Sequence, residues 1–318
     1  MKVFDILRLI RLPNLLIVAA TQYFMRYFII EPMLAVNNFN LQLDAINFNI
    51  LVLATVLITA GGYVINDYFD TKTDFFNRPE RVIVGKSIKR RTAIIMHVTL
   101  NILGIFLGLY LSYKIGYWEL GIIFMMVSGI LWFYSTTYKR QLVVGNLIVA
   151  LLTAFVPFIV VIYEIPPLIS EYREILREYG VGFSYIFAWI GGFSLFAFML
   201  TLVREIVKDI EDFEGDKAFG RNTIPVVIGT ANTKYIITAL ILITLASLSL
   251  VYMTFLKDIY SLFYLFFTII IPLLHVIYGT WKADGQKQYH RLSTILKAIM
   301  VLGVCYAPLV KFIIQRNF

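Results

Sequence analysis

Long apolar runs broken by short polar stretches set the pattern of this chain. The run "ILVLATVLITAGGYVI", Ile50 to Ile65, carries no charge. Runs of this kind recur along the sequence, too long for strands and too evenly apolar for the half-buried helices of a soluble domain. About 20 apolar residues of helix cross the hydrocarbon core of a bilayer. On that measure nine spans are predicted: 12–35, 48–70, 93–112, 117–137, 141–163, 183–207, 235–256, 259–281 and 292–314. The expected fold class is all-α, a polytopic membrane protein of nine transmembrane helices. The first span opens Arg11-Leu12-Pro13-Asn14 and is longer than the core of a cleavable leader.

The polar remainder sharpens this picture. The segment 164–182, "EIPPLISEYREILREYGVG", alternates charge and apolar residues as an interfacial helix does. No low-complexity stretch or linker interrupts the chain, so residues 1–318 are read as a single membrane-embedded domain. With a cytoplasmic N-terminus, 21 of the 28 Lys and Arg fall on or near the cytoplasmic side and 7 elsewhere. That bias supports both span count and orientation. It predicts a multi-pass integral protein of the cell inner membrane among membrane lipids. The net charge of +8 is then a topology signal, and without a soluble basic module no nucleic-acid partner is expected. The lone Cys305 implies neither a disulfide nor a thiolate metal site.

Charge returns where two spans end. "NDYFDTKTD", Asn66 to Asp74, places Asp67, Asp70 and Asp74 at i, i+3 and i+7, within roughly 60° of one another on a helix. "KDIEDFEGD", Lys208 to Asp216, repeats that spacing with Asp209, Asp212 and Asp216, each 142 residues after its counterpart. Similar stretches follow both runs, "FFNRPERVIVG" and "KAFGRNTIPVVIG". The repeat divides the domain into related halves, about 1–140 and 141–318.

A single acidic cluster at a helix end is ordinary solvated charge. Two clusters of one spacing are costly if they face lipid, at about 2.5–3.5 kcal/mol per charge near the bilayer centre. A hard divalent cation relieves such crowding, because carboxylate oxygen is its preferred ligand. Mg²⁺ commonly adds phosphate oxygens from a substrate. The expected metal ligands are therefore Asp67, Asp70, Asp74, Asp209, Asp212 and Asp216. Basic residues stand nearby in sequence to meet a phosphate: Lys72, Arg78, Arg81 and Lys86, then Lys139 and Arg140, then Arg204, Lys208, Lys217 and Arg221. Others, such as Lys89 to Arg91, read as topology signals alone. His97 and His275, isolated in apolar spans, read as packing or local hydrogen-bonding residues rather than metal ligands, and Arg26 and Glu31 as a pair with each other or as lining of a lipid entrance.

These motifs resemble those of the UbiA superfamily of intramembrane prenyltransferases. NDxxDxxxD is matched by Asn66, Asp67, Asp70 and Asp74, and DxxDxxxD by Asp209, Asp212 and Asp216. The resemblance runs from Arg11, Pro13 and Asn14 through the nine spans. It implies a helical bundle around a central cavity, Mg²⁺-dependent binding of a prenyl diphosphate donor at the cytoplasmic side, and a lateral opening for lipids. The implied reaction passes through an allylic carbocation, with Mg²⁺ and cationic side chains neutralising the leaving group. Tyr68, Tyr134 and Tyr138 could offer π faces to the cation or simply pack. The expected catalytic set is Asp67, Asp70, Asp209, Asp212, Lys139 and Tyr134. The expected substrate contacts are Asn66, Arg78, Arg81, Tyr138, Asn146, Arg204 and Lys208.

"REIVKDIEDFEGDKAFGRNTIPVVIG" and "YKRQLVVGNLIVALLT" look most like the branch that makes digeranylgeranylglyceryl phosphate. That likeness implies transfer of geranylgeranyl to a lipid acceptor, geranylgeranylglyceryl phosphate. An aromatic acceptor, 4-hydroxybenzoate or another quinone precursor, is the alternative. Span 5 carries no carboxylate between Lys139 and Glu164, where some aromatic-acceptor relatives have an Asp. A cation transporter also has repeats and intramembrane acids, but here the repeat is parallel and the acids sit at helix ends.

Overall fold

A computed structural model describes residues 3–77 and 79–317, and of Arg81 and Asn317 the backbone alone. The described chain is helical throughout, with one isolated bridge between Val84 and Ile88. Its helices are α1 Val3–Leu9, α2 Leu12–Phe24, α3 Glu31–Ala35, α4 Ala45–Asn77, α5 Arg90–Lys114, α6 Ile122–Thr136, α7 Val144–Glu171 and α8 Arg173–Tyr179. They continue with α9 Ser184–Glu211, α10 Phe213–Ala218, α11 Ile224–Ile228, α12 Thr230–Val251, α13 Ile259–Leu265, α14 Ile271–Lys282, α15 Gln286–Val304 and α16 Tyr306–Asn317.

Among the described residues, eight helical segments are long and apolar enough to cross a membrane. They coincide with the second to ninth predicted spans, and the chain is an all-α, multi-pass membrane protein. The first predicted span, 12–35, is helical as well, but it is broken into α2, a wide turn over Met25–Ile30, and α3. Gln22, Arg26 and Glu31 lower its apolarity. The wide turn has a local cause, since Pro32 in the first turn of α3 lacks the N–H that a regular ladder needs. Pro272 follows the wide turn Phe266–Ile270 in the same way. Within the segment 164–182, α7 runs on through Pro166 and Pro167 to Glu171, and the separate helix α8 follows.

Two compact units make up the chain: Met1–Lys139 with Val156–Ile190, and Arg140–Phe155 with Gly191–Phe318. The sequence halves divided near 140 are therefore not the compact units, since 156–190 belongs with the first.

In the first unit α4 packs on α2, α5 and α6. Apolar spans gain no hydrophobic drive from each other in lipid, so they rely on close approach and buried hydrogen bonds. Gly61 shows why. A Cβ there would run into the Asn101 side-chain amide. Without it, His97 donates from Nδ1 to Gly61 O at 2.9 Å, and Ser128 donates to Asn101 Oδ1 at 2.6 Å. His97 is thus a packing residue, as expected, while His275 is exposed.

Arg26 pairs with a partner other than Glu31. It reaches Glu164 of α7 at 3.4 Å, donates to Leu43 O, and stacks on Phe48 at 4.4 Å. Glu164 also accepts from the Gln42 and Leu43 amides at 2.6 and 3.1 Å. Both charges are buried, and together they pin the connector between α3 and α4.

Near the first acidic run, Leu9, Val64, Ile83, Val84, Ile88 and Ala93 form a small core with Tyr68 packed against it. This core fixes α1 and the 82–89 connector against α4. In the second unit, Ala150, Val203, Ile206, Ile237, Leu273 and Leu296 belong to one core joining α7, α9, α12, α14 and α15.

Candidate active site

The first acidic run lies on the last turns of α4, a helix that continues unbroken to Asn77. Asp67, Asp70 and Asp74 therefore share one face, as their spacing predicted. Two cations from distant parts of the sequence meet that face. Arg11, between α1 and α2, has left-handed backbone angles (φ 53°, ψ 53°). Its Nη2 donates to Asp67 Oδ1 at 2.8 Å, and its guanidinium lies 4.9 Å from the Tyr63 ring. Asn14 adds a bond from Nδ2 to the Tyr63 hydroxyl at 3.3 Å. Lys139 projects from the short turn Tyr138–Arg140 and donates to Asn66 Oδ1 at 2.9 Å and to Asp70 Oδ2. Asp70 is buried and Asp67 and Asp74 are partly so.

Sequence reasoning noticed Arg11 as part of a motif and gave it no role. The signal was present in its charge, one residue before an apolar span, two before Pro13. Tyr68 departs from expectation in another way: the guanidinium of Arg90 covers its ring at 4.1 Å. That occupies a π face otherwise open to a substrate cation. Tyr134 is partly buried and Tyr138 exposed. Arg78 and the side chain of Arg81 lie outside the described residues.

The second run is built differently. Asp209 is in α9, Asp212 follows the end of that helix with φ −98° and ψ 8°, and Asp216 is in α10. The ladder still passes the break, with Asp212 N bonded to Lys208 O at 2.9 Å and Asp216 N to Asp212 O at 3.0 Å. Asn146, in the first turn of α7, donates from Nδ2 to Asp209 Oδ2 at 2.7 Å. Arg221 Nη1 reaches Asp216 Oδ1 at 3.4 Å. Arg204 and Lys208 both turn to Glu205, each at 3.0 Å. The structure thus brings Asn146 and Arg221 to the acidic run, and Arg204 and Lys208 to a neighbouring glutamate.

Among the described residues no three His, Cys, Asp or Glu side chains gather as a ready-made metal cage. Each run instead offers oxygen donors held by hydrogen bonds from cations or an amide. That donor set fits a hard cation bound through one or two carboxylates together with phosphate oxygens, the usual habit of Mg²⁺. Charge on an anionic ligand would also be met by Lys139 and Arg11 beside the first run and Arg221 beside the second.

The UbiA prenyltransferase family matches residues 34–302. The digeranylgeranylglyceryl phosphate synthase of Methanosphaera stadtmanae is 30% identical over 262 residues, 81% of this chain and 86% of that one. A solved digeranylgeranylglyceryl phosphate synthase structure aligns over 98% of both chains with a TM-score of 0.62 and 24% identity. A UbiA homologue from Archaeoglobus fulgidus, solved with GPP and Mg²⁺, aligns over 97% of this chain and 99% of that one, with a TM-score of 0.59 and 16% identity. These two likenesses bear on the fold, while the family match spans most of the chain. The protein belongs to the UbiA prenyltransferase family and is an intramembrane prenyltransferase, most like the digeranylgeranylglyceryl phosphate synthase branch.

Proposed function

We propose that the chain transfers a geranylgeranyl group from its allylic diphosphate to the glycerol hydroxyl of geranylgeranylglyceryl phosphate. The observation that carries the reading is a pair of aspartate runs, each held by specific donors, in a chain alike over most of its length to the Methanosphaera stadtmanae synthase. The Archaeoglobus fulgidus homologue with GPP and Mg²⁺ supports the donor class and the metal. The Lys and Arg bias supports an active site facing the cytoplasm of the cell inner membrane.

Asp67, Asp70 and Asp74, and Asp209, Asp212 and Asp216, are the proposed ligands of Mg²⁺. Bound there, Mg²⁺ supplies positive charge against the diphosphate as it departs. Lys139 and Arg11 keep the first carboxylates in place and add positive charge of their own, and Arg78 and Arg81 are assigned to phosphate. Asn66 orients Lys139, and Asn146 orients Asp209. Arg204 and Lys208 serve the donor through the charge balance around Glu205. Tyr134 is assigned to the allylic cation, with Tyr138 at the substrate's entry.

In the proposed reaction the bond between the allylic carbon and the diphosphate oxygen breaks, and the diphosphate leaves with the electron pair. The acceptor hydroxyl oxygen then bonds that carbon. Its proton passes to the released diphosphate or to the acceptor's own phosphate. A dissociative order suits this chain, because α7 carries no carboxylate before Glu164 to act as base toward a weakly acidic alcohol.

The test is a membrane assay with geranylgeranyl diphosphate, offering geranylgeranylglyceryl phosphate, its phosphate-free analogue and 4-hydroxybenzoate separately. Product from the phosphorylated lipid alone is expected. Prenylation of 4-hydroxybenzoate with none of the glycerol lipid would move the chain to an aromatic-acceptor branch.

A further inference from the structure

Glu211 stands inside the second acidic run without belonging to its matched aspartates. The corresponding position of the first run is Phe69. The Glu211 side chain is almost fully buried, with 3% exposure, and its Oε1 lies 2.9 Å from Nδ1 of His290. An ionised carboxylate only accepts hydrogen bonds, so the imidazole donates through Nδ1–H. His290 sits in the second turn of α15, and α15 shares the core of the second unit with α9 through Leu292, Leu296, Ile206 and Ile210.

The placement of this pair matters more than its strength. Residues two apart on a helix point about 160° away from each other, so Glu211 holds the back of the last turn of α9 while Asp209 projects from the front. Asp212 is the next residue, and there the backbone leaves helical geometry. The chain is therefore gripped at the last residue before the break. A fully solvated helix-end pair would contribute little; here His290 is itself 45% exposed, but the carboxylate it holds is buried and the donor comes from another helix.

We propose that His290 is a positioning residue for prenyl transfer: by holding Glu211 it fixes the rotation of the last turn of α9, and so the direction in which Asp209 and Asp212 meet Mg²⁺ and the donor diphosphate. This rests on the proposed function. The first run needs no such grip, since α4 continues unbroken through it.

The experiment uses the full-length protein in detergent. It compares His290→Ala, His290→Asn, Glu211→Leu and the His290→Ala/Glu211→Leu double variant, with Asp209→Asn alongside. Two readouts are taken: the Mg²⁺ concentration for half-maximal prenyl transfer, and the Mg²⁺ concentration for half-maximal thermal stabilisation with inorganic diphosphate present. His290→Ala is expected to raise both by about tenfold, the effect of losing one hydrogen bond to a charged group, with kcat at saturating Mg²⁺ changed much less. The Asn amide falls near the position of Nδ1, so His290→Asn should recover most of the loss. Glu211→Leu, which leaves Nδ1–H no acceptor, should resemble His290→Ala, and the double variant should be no worse than either. Wild-type Mg²⁺ curves in His290→Ala, an Asn variant as impaired as Ala, or additive losses would each overturn the proposal. If His290→Ala does not fold, the other single variants decide: Glu211→Leu shifted with His290→Asn near wild type supports the proposal, and any other pattern overturns it. Asp209→Asn separates the two readings. Its full activity would sink the metal assignment itself, whereas its inactivity beside a wild-type His290→Ala would sink the positioning role alone.

Discussion

The two acidic runs share one spacing and differ in nearly everything else. The first lies on α4 without interruption, and its carboxylates are met by cations, Arg11 and Lys139, from other parts of the sequence. The second crosses a break at Asp212 and is met by an amide, Asn146, and by Arg221 only five residues beyond Asp216. The residues inside the two runs differ as well. Thr71 and Thr73 of the first run correspond to Phe213 and Gly215 of the second. Thr71 also bonds back to the Asp67 and Tyr68 carbonyls at 3.1 and 3.0 Å, inside an intact helix. Gly instead weakens a helix by about 1 kcal/mol relative to Ala. A repeat in sequence thus preserves which residues carry oxygen donors, while the two halves orient them by different means.

The sharpest way to break this comparison is to neutralise one carboxylate in each run. Asp70→Asn and Asp209→Asn should each lower turnover about a hundredfold or more, the scale of losing a key electrostatic contact in a reaction that expels diphosphate. EDTA should abolish product and Mg²⁺ restore it. Radiolabelled geranylgeranyl transfer in membranes, normalised to protein level by immunoblot, measures both. Full activity in either single variant would make one run dispensable.

Next come the two cations of the first run, which differ in burial. Lys139 and Asp70 expose 23% and 5% of their side chains, against 39% and 19% for Arg11 and Asp67. Lys139→Ala strands a more deeply buried charge, so it should lower kcat/KM about thirtyfold and Arg11→Ala about threefold. The reverse order would show that burial does not rank them.

A smaller effect should follow from Asn146→Ala, which removes a neutral donor from Asp209. About fivefold in kcat/KM is expected for one lost hydrogen bond. Equal activity would show that Asp209 does not depend on this amide. The smallest change belongs to Lys89→Ala. That exposed residue precedes α5, and kcat/KM should stay within about twofold of wild type.

Periodicity and hydropathy, read along the chain, determined the helical class, the membrane, the position of the long spans and the common face of Asp67, Asp70 and Asp74. Such features follow from the geometry of a single helix and the thickness of a bilayer, both of which act locally in sequence. The motifs likewise carried the family. Tertiary structure alone decided the partners: Arg11 for Asp67, Lys139 for Asp70, Asn146 for Asp209, His290 for Glu211, and Glu164 in place of Glu31 for Arg26. It also covered Tyr68 with Arg90. No period in the sequence encodes those choices, because a long cationic side chain reaches several acids and packing of distant helices determines which one it meets.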